Sequence, residues 1–518
     1  MAASQDTQAD RTQDEVFALL ARPETYDERG TVKRIDTHAA AVFLTGEHAF
    51  KVKRAVKFPF LDFSTLEKRK AALQAEIEAN KPFAPQLYLG LVPVTREGGA
   101  LKLGGKGETV EWALKMRRFD ETQTLDHLAN AGKVDVRMAE ALARLIAQAH
   151  ERAPKVEPAP WIAALGEYIE QNAQAFREHP KLFDAKEVEQ FTKASRIAFA
   201  GLRPLLEKRG AQGLIRRGHG DLHLGNIALI DGEPLPFDAL EFDPLVASGD
   251  LLYDVAFLLM DLDERKLREA AATALNIYFV VSRRDADIEA LAALPLFMSV
   301  RAAIRAKVTA AKLANTDEAK RDAIAKEAQT YFALACKLIA PPKPKLLAVG
   351  GLSGTGKSVL ARGLASRIPP LPGALVLRSD IERKVLFNVA ETERLPADAY
   401  TAEVTMRVYQ TLADKAQRVI AAGHSAMVDA VFAKPQERAL ISKLAQDNKL
   451  DFHGLFLTAD METRIKRVGA RVSDASDAGA EIVRRQEDYD LGDLDWLKVD
   501  ASGSPEQTLT NALAKLKP

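Results

Sequence analysis

Cysteine is almost missing from this chain of 518 residues: Cys336 stands alone, so no intramolecular disulfide can form. Such a chain relies on packing rather than covalent staples, which fits a reducing compartment. A surplus of charge is missing too. Lysine plus arginine and aspartate plus glutamate both number 72, so nothing global draws the protein to nucleic acid or to an anionic membrane. Long hydrophobic runs are also lacking. The stretch LLYDVAFLLM (251–260) is too short to cross a bilayer and is interrupted by Asp254. The polar N-terminus, MAASQDTQADRTQDEV, has neither the basic start nor the apolar segment of a secretion signal. These absences lead to the expectation of a soluble, cytoplasmic protein without a membrane partner.

What is present is ordinary globular material, 47% hydrophobic and 28% charged, with length enough for more than one core. The segment APPKPK (340–345) marks a boundary, since its prolines end a helix and stiffen a linker. Before it, strand-like runs (AAAVFLTG, HAFKVKRAV, VEWALKMRRF) flank a helical stretch at 65–83, and beyond residue 135 the chain reads as largely helical. After it, a buried strand begins at once. The division expected is therefore 1–340, 340–345 as linker, and 346–518. Within the first part, about 25–120 reads as a strand-rich lobe and about 121–339 as a helical one, an α+β plan of the protein-kinase type.

The stretch RGHGDLHLGN (217–226) carries the first chemistry. Phosphoryl transfer needs a carboxylate for the acceptor hydroxyl, oxygen ligands for Mg²⁺ and a cation for the nucleotide phosphates. Asp221 and Asn226 have the D-x-x-x-x-N spacing of kinase catalytic loops, and Asp238 follows on the return of a hairpin turned by DGEP. Asp221 is thus the candidate base, with Asn226 and Asp238 as metal ligands. The alternative, a zinc cluster in H-x-D-x-H, lacks further His or Cys ligands nearby, and the Asn and Asp suit Mg²⁺ better.

HGDLHLGN, PFDALEFD and GDLLYDVAFL together resemble the aminoglycoside phosphotransferase and choline kinase-like families. That resemblance implies Lys51 in AFKVKR as the phosphate lysine, with Lys53 on the same strand face as the alternative, and Glu76 as its helix partner. It also implies KMRRF (115–119) as the hinge facing adenine, and Asp250 as the carboxylate bracing the catalytic loop. No G-x-G-x-x-G precedes Lys51; THAAAVFLTG (37–46) stands there instead.

GLSGTGKS (351–358) satisfies G-x-x-x-x-G-K-[ST] between a buried strand and a helix. Gly351, Gly354, Thr355 and Gly356 would wrap backbone N–H groups around phosphates. Lys357 would reach the β- and γ-phosphates and Ser358 a Mg²⁺ ion. Downstream, ALVLRSDIERKVLF reads as a strand ending at Asp380, with Arg383 one turn on: a base and an acceptor-holding cation. Asp429 ends another buried strand as a candidate metal or substrate ligand. ETRIKRVGARVSDASDA reads as a lid bringing Arg467 and Arg471 onto the transferring phosphate. This set resembles the small P-loop kinases of the polynucleotide kinase, zeta toxin and gluconate kinase group. The whole chain is similar to bacterial fusions of an aminoglycoside phosphotransferase-like domain with an α/β P-loop domain.

Helix 297–315 places Arg301, Arg305 and Lys312 on one face, which leads to the expectation of an anionic acceptor, a small molecule or a nucleic-acid end. The function expected is an ATP- and Mg²⁺-dependent kinase with two sites. The alternatives are a P-loop half that only binds ATP and regulates, and a 5′-hydroxyl polynucleotide kinase.

Overall fold

The computed structural model describes residues 3–26, 30–58, 61–241, 243–470 and 475–516. Two compact units emerge, one of residues 1–134, 148–161 and 213–254, the other of 135–147, 162–212 and 255–518.

The first unit carries an antiparallel sheet of six strands, in spatial order Lys33–Asp36, Ala40–Leu44, His48–Lys53, Glu108–Arg117, Tyr88–Glu97 and Ala100–Leu103. Alternation along a strand decides what each face holds. In His48–Lys53, Phe50 and Val52 enter an apolar cluster with Phe43, Val94 and Ala113. That cluster is closed by Val16, Phe17 and Leu20 of helix Ala3–Leu20. The polar start of the chain had given no sign of this helix. Lys51 and Lys53 alternate onto the opposite face, where helix Leu66–Asn80 offers Glu76. The expected hairpin forms from Ile227–Ile230 and Glu233–Pro236. Its turn is Asp231-Gly232, both at positive φ (54° and 86°), the two-residue geometry that suits the twist of paired strands.

The second unit holds the long helices Ala185–Ala211, Leu294–Ala311 and Glu318–Ile339, and an all-parallel sheet. The sheet runs in the order Leu375–Arg378, Ala426–Asp429, Leu346–Gly351, Phe452–Thr458 and Leu497–Asp500. Parallel strands covered on both faces read as unbroken apolar runs, and every residue of Leu346–Gly351 and Ala426–Asp429 is buried. The kinase-like α+β region and the α/β P-loop sheet expected from the sequence are both present. Residues 341–345, the proline-rich segment, carry no regular structure. Among the described residues no helix is long and apolar enough to cross a membrane.

One expectation is corrected in this unit. The Arg301 guanidinium lies over the Phe257 ring at 4.8 Å and that of Arg305 over Tyr331 at 5.4 Å, in a helix most of whose residues are buried. Stacked on aromatic faces between helices, these arginines serve packing. The argument for an anionic acceptor loses its support with them.

Gly454 faces the Trp496 indole so closely that a Cβ there would lie 2.3 Å from a ring carbon. That indole is itself held by Phe432 and Phe452, at 4.8 and 5.9 Å between centroids. Gly454→Ala should therefore cost about 1–3 kcal/mol through overpacking. Urea unfolding followed by tryptophan fluorescence measures it, and an unchanged midpoint would mean the ring can move aside.

Candidate active sites

The first centre is built on the loop that follows strand Ile215–Arg217. Its backbone is pinned by Asp254, whose carboxylate accepts the His219 and Gly220 amides at 2.8 and 2.9 Å and His150 Nε2 at 3.1 Å. This is the brace expected of Asp250, displaced by one helical turn. Asp250 ends strand Ser248–Asp250 and accepts the Leu252 amide at 2.9 Å. Spacing along a helix could not say which of two carboxylates four residues apart would face the loop.

His219 is fully buried, and burial keeps its imidazole below the usual pKa. The neutral ring donates from Nε2 to the Phe237 carbonyl at 3.0 Å and meets Phe83 edge-on. It ties the catalytic loop to the strand that delivers Asp238. His223 accepts the Gly225 amide on Nδ1 at 3.1 Å and brings Nε2 to 3.5 Å from Asp221. Asn226 donates to both the backbone oxygen of Asp221 at 3.0 Å and its carboxylate at 2.9 Å. The structure thus brings Asp221 and Asn226 into direct contact.

Asp238 comes to the same centre in a left-handed conformation, φ 58°. The Tyr88 hydroxyl accepts its amide at 3.0 Å, and Asn80 Oδ1 accepts the next one at 2.9 Å. Its carboxylate meets Lys51 Nζ at 3.1 Å, and the same ammonium lies 2.7 Å from Glu76 Oε1. Lys53 takes the other Glu76 oxygen at 2.7 Å and adds Glu241 at 2.6 Å. Both candidate lysines therefore hold Glu76, but Lys51 is the one that also reaches Asp238. Burial opposes charge on Lys51, yet the carboxylates of Glu76, Asp238 and Glu241 outweigh it and raise its pKa well above the ordinary value. Tyr88, Asn80, Glu241 and Asp254 were not among the expected site residues, since nothing local in the sequence links them to the loop.

The second centre is the P-loop. Positive φ at Gly354 and Gly356 (86° and 92°) shapes it, and a Cβ on Gly354 would lie 2.6 Å from the Arg464 carbonyl. Gly356 caps helix Lys357–Ala365, whose amides open on the loop. Lys357 Nζ donates to the Leu352 carbonyl at 3.2 Å, and Thr355 Oγ1 to the same oxygen at 2.8 Å. Buried Arg464 holds the loop from behind, with Nε donating to Ser353 O at 2.9 Å.

Around this loop lies a cavity of about 1190 Å³ lined by Lys357, Ser358, Asp380, Arg383, Asp429 and Arg467, among others. Strand Leu375–Arg378 ends two residues short of the expected Asp380, which sits in the first turn of helix Ser379–Leu386. Arg383 is anchored there by Ala399 O at 2.6 Å and the Tyr400 ring at 4.9 Å. Arg378 donates to Ser358 Oγ at 3.2 Å and pairs with Asp429 at 3.4 Å, so a cation bridges the two expected metal ligands. Arg467 reaches the cavity with its guanidinium on the carbonyls of Ala501 and Gly503, both at 2.7 Å. Arg471 lies outside the described residues. On the far wall Asp477, in the expected lid, accepts from Lys384, the Tyr400 hydroxyl and the Leu395 amide at 2.8, 2.6 and 3.1 Å.

Comparison with known proteins follows the same division. Residues 60–294 match the phosphotransferase enzyme family and residues 346–489 an AAA domain. Proteins described as uncharacterized in Mycobacterium tuberculosis and Mycobacterium bovis are each 31% identical over 497 residues, covering 92% of this chain and 94% of theirs. Among solved structures, a choline/ethanolamine kinase family protein from Mesorhizobium loti is 15% identical, with a TM-score of 0.36, over 63% of this chain and 99% of its own. A gluconokinase from Sinorhizobium meliloti is 18% identical, with a TM-score of 0.25, over 33% and 90%. Likeness at that level identifies no substrate.

Glu76 supplies the test of the first centre. Burial favours its neutral form, but Lys51 and Lys53 lower its pKa from 4.5 to about 2. A carboxylate depressed on folding stabilises the protein fully above its unfolded pKa and loses that contribution as pH falls toward the folded one. Stability of the first unit should therefore decline from about pH 4.5 to about pH 2, and Glu76→Gln should flatten that decline. At pH 7 the same change leaves two buried ammonium groups short of a partner, at a cost of about 3–5 kcal/mol. Denaturant unfolding of both proteins across this pH range checks both statements.

Proposed function

The chain belongs to one family with these mycobacterial proteins, joining a phosphotransferase domain to a P-loop kinase domain, and we propose from that premise that it performs two separate phosphoryl transfers to hydroxyl acceptors. That it is a kinase-type enzyme follows from the two matched families. Those families imply ATP, and usually Mg²⁺, as what each domain uses. The domain assignment adopted is 1–340 and 346–518. Cytoplasmic residence is part of the same proposal.

At the first centre Asp221 is the base. The acceptor oxygen attacks the γ-phosphorus, its proton passes to the Asp221 carboxylate, the β–γ bridging bond breaks and ADP departs. Asn226 orients Asp221 through the contact at 2.9 Å, and Lys51, steered by Glu76, receives phosphate oxygens. Asn226 and Asp238 would hold Mg²⁺, whose chemistry is neutralisation of phosphate charge. An amide oxygen and a half-exposed carboxylate already paired with a cation suit a hard divalent ion.

At the second centre the loop amides and Lys357 take the triphosphate, with Ser358 and Asp429 as the metal ligands. Arg378 between those two oxygens supports the choice, since it shows a place already matched to positive charge. Asp380 is the base, and Arg383 holds the acceptor. Arg467 and Arg471 remain proposals for transition-state contacts. The observation that carries the two-site reading is that each candidate base has its own set of partners: Asp221 is held by Asn226 on a loop joined through His219 to the segment where Asp238 meets Lys51, and Asp380 lines one cavity with Lys357. The acceptors proposed are small hydroxyl-bearing molecules.

The test uses γ-labelled ATP with the unaltered protein, Asp221→Ala and Asp380→Ala, each offered a metabolite extract and 5′-hydroxyl oligonucleotides. Two labelled products are expected, each falling at least 100-fold in one variant only, as loss of a positioned base typically gives. A single product that survives Asp380→Ala would reduce the P-loop half to an ATP-binding regulator. A labelled oligonucleotide would replace the small-molecule acceptor with a nucleic-acid end.

A further inference from the structure

Within the second unit, the outer edge of the parallel sheet is strand Leu375–Arg378, the strand that runs directly into Asp380. An edge strand presents unpaired backbone groups, and here they are met by one side chain from the phosphotransferase domain. Asn276, on helix Arg268–Ser282, accepts the Val376 amide on Oδ1 at 2.7 Å and donates from Nδ2 to the Ala374 carbonyl at 3.1 Å. A carboxamide carries a donor and an acceptor in the arrangement of a peptide group, so it substitutes for a neighbouring strand at one position. Its register is fixed in turn by a bond from Nδ2 to Ala272 O at 2.8 Å on its own helix.

Further contacts run from the same helical region to the elements around Asp380. Arg283 donates to Val389 O at 2.8 Å, just past helix Ser379–Leu386. Arg418, on helix Ala402–Ala421, pairs with Glu289 and Asp285, each at 2.6 Å. Lys415, one turn earlier, joins Asp285 at 3.6 Å to Glu382 at 2.7 Å, and Glu382 lies on the helix of Asp380 and Arg383. Strand and helix, the two elements that set where Asp380 stands, are thus both tied to residues 276–289 of the other domain.

We infer that Asn276 is a positioning residue for the P-loop centre: the phosphotransferase domain, through this carboxamide, fixes the start of the edge strand and through the strand the Asp380 carboxylate at its far end. The inference rests on the reading of Asp380 as the acceptor-side base. It assigns the fusion a physical consequence, since the strand leading into the second centre is held by the first domain's helix. Asn276 does not line the cavity, so it acts only through the strand.

The experiment compares the full-length protein with Asn276→Leu and Asn276→Asp, all on an Asp221→Ala background that silences the first centre. Leucine keeps the bulk and removes both bonds; aspartate keeps the acceptor for Val376 N–H and sets a carboxylate against the Ala374 carbonyl. Amide exchange of peptides covering 374–386 should rise about tenfold in Asn276→Leu and less in Asn276→Asp, while peptides covering 346–351 and 426–429 stay unchanged. ATP turnover with water as the acceptor should fall about tenfold in kcat with KM for ATP within twofold, because the loop amides and Lys357 are untouched. Exchange that is unchanged at 374–386, or that rises equally across all strands, overturns the inference. Turnover unaffected by Lys357→Ala would instead sink the P-loop kinase reading, and the exchange measurement would still decide the positioning.

Discussion

Glu76 is completely buried, and its two oxygens are shared between Lys51 and Lys53, each at 2.7 Å. An uncompensated carboxylate at that depth would cost several kcal/mol, so the lysines are a condition of the fold as well as part of the site. From them the rest of the first centre is placed. Lys53 fixes Glu241 and Lys51 meets Asp238, so one strand face registers a whole segment of the return loop. Asn80, one turn beyond Glu76 on the same helix, takes the Ala239 amide and donates to the Glu76 carbonyl at 2.8 Å. The helix that carries the buried charge therefore also carries the backbone clamp on the segment that bears Asp238. Lys51 and Asp238, the proposed phosphate lysine and metal ligand, are set by one charge balance.

The P-loop centre meets the same need with backbone. Its cradle is made of amides at a helix start and of glycines whose φ no side chain tolerates well, so little buried charge has to be matched there. Buried charge lies around the cradle rather than in it: Asp429 is answered by Arg378, and Arg464 donates from its guanidinium to the carbonyl of Ser353. The two centres are thus built by opposite routes, one from side-chain ion pairs on a strand face, the other from helix and loop geometry. This is why their sequence signatures differ so much in strength. GLSGTGKS is contiguous because the backbone that binds is contiguous, and DLHLGN is legible for the same reason.

What escaped the sequence was set by contacts distant along the chain. The P-loop, the Asp221–Asn226 pair, the hairpin turn and the Lys51–Glu76 pairing could be read because spacing or local chemistry determines them. Asp254 could not be told from Asp250, because which one faces the loop depends on where helix Leu251–Glu264 begins relative to strand Ser248–Asp250. Arg301 and Arg305 were misread for a related reason. Helical spacing puts them on one face but is silent on what that face meets, and here it meets Phe257 and Tyr331. Tyr88, Glu241 and Asn276 carry no motif at all. Each is an ordinary polar residue that acquires its role from a partner well over a hundred positions away or on another element.

Hydrogen bonds and ion pairs join the helical region to the P-loop domain, and their strengths are unequal. The Arg418 pairs involve carboxylates that are partly exposed, Asp285 at 62% and Glu289 at 38%, so water screens them and each contributes about 0–1 kcal/mol. They bring surfaces together without holding any one atom in place. The two Asn276 bonds differ in kind. They are directional, they engage backbone that would otherwise lack a strand partner, and losing them exposes a donor and an acceptor rather than a screened charge. The junction thus combines screened ion pairs with a directional clamp on the edge strand. The Asn276 bonds fall on the strand that leads to Asp380, whereas the nucleotide cradle has an anchor of its own in Arg464.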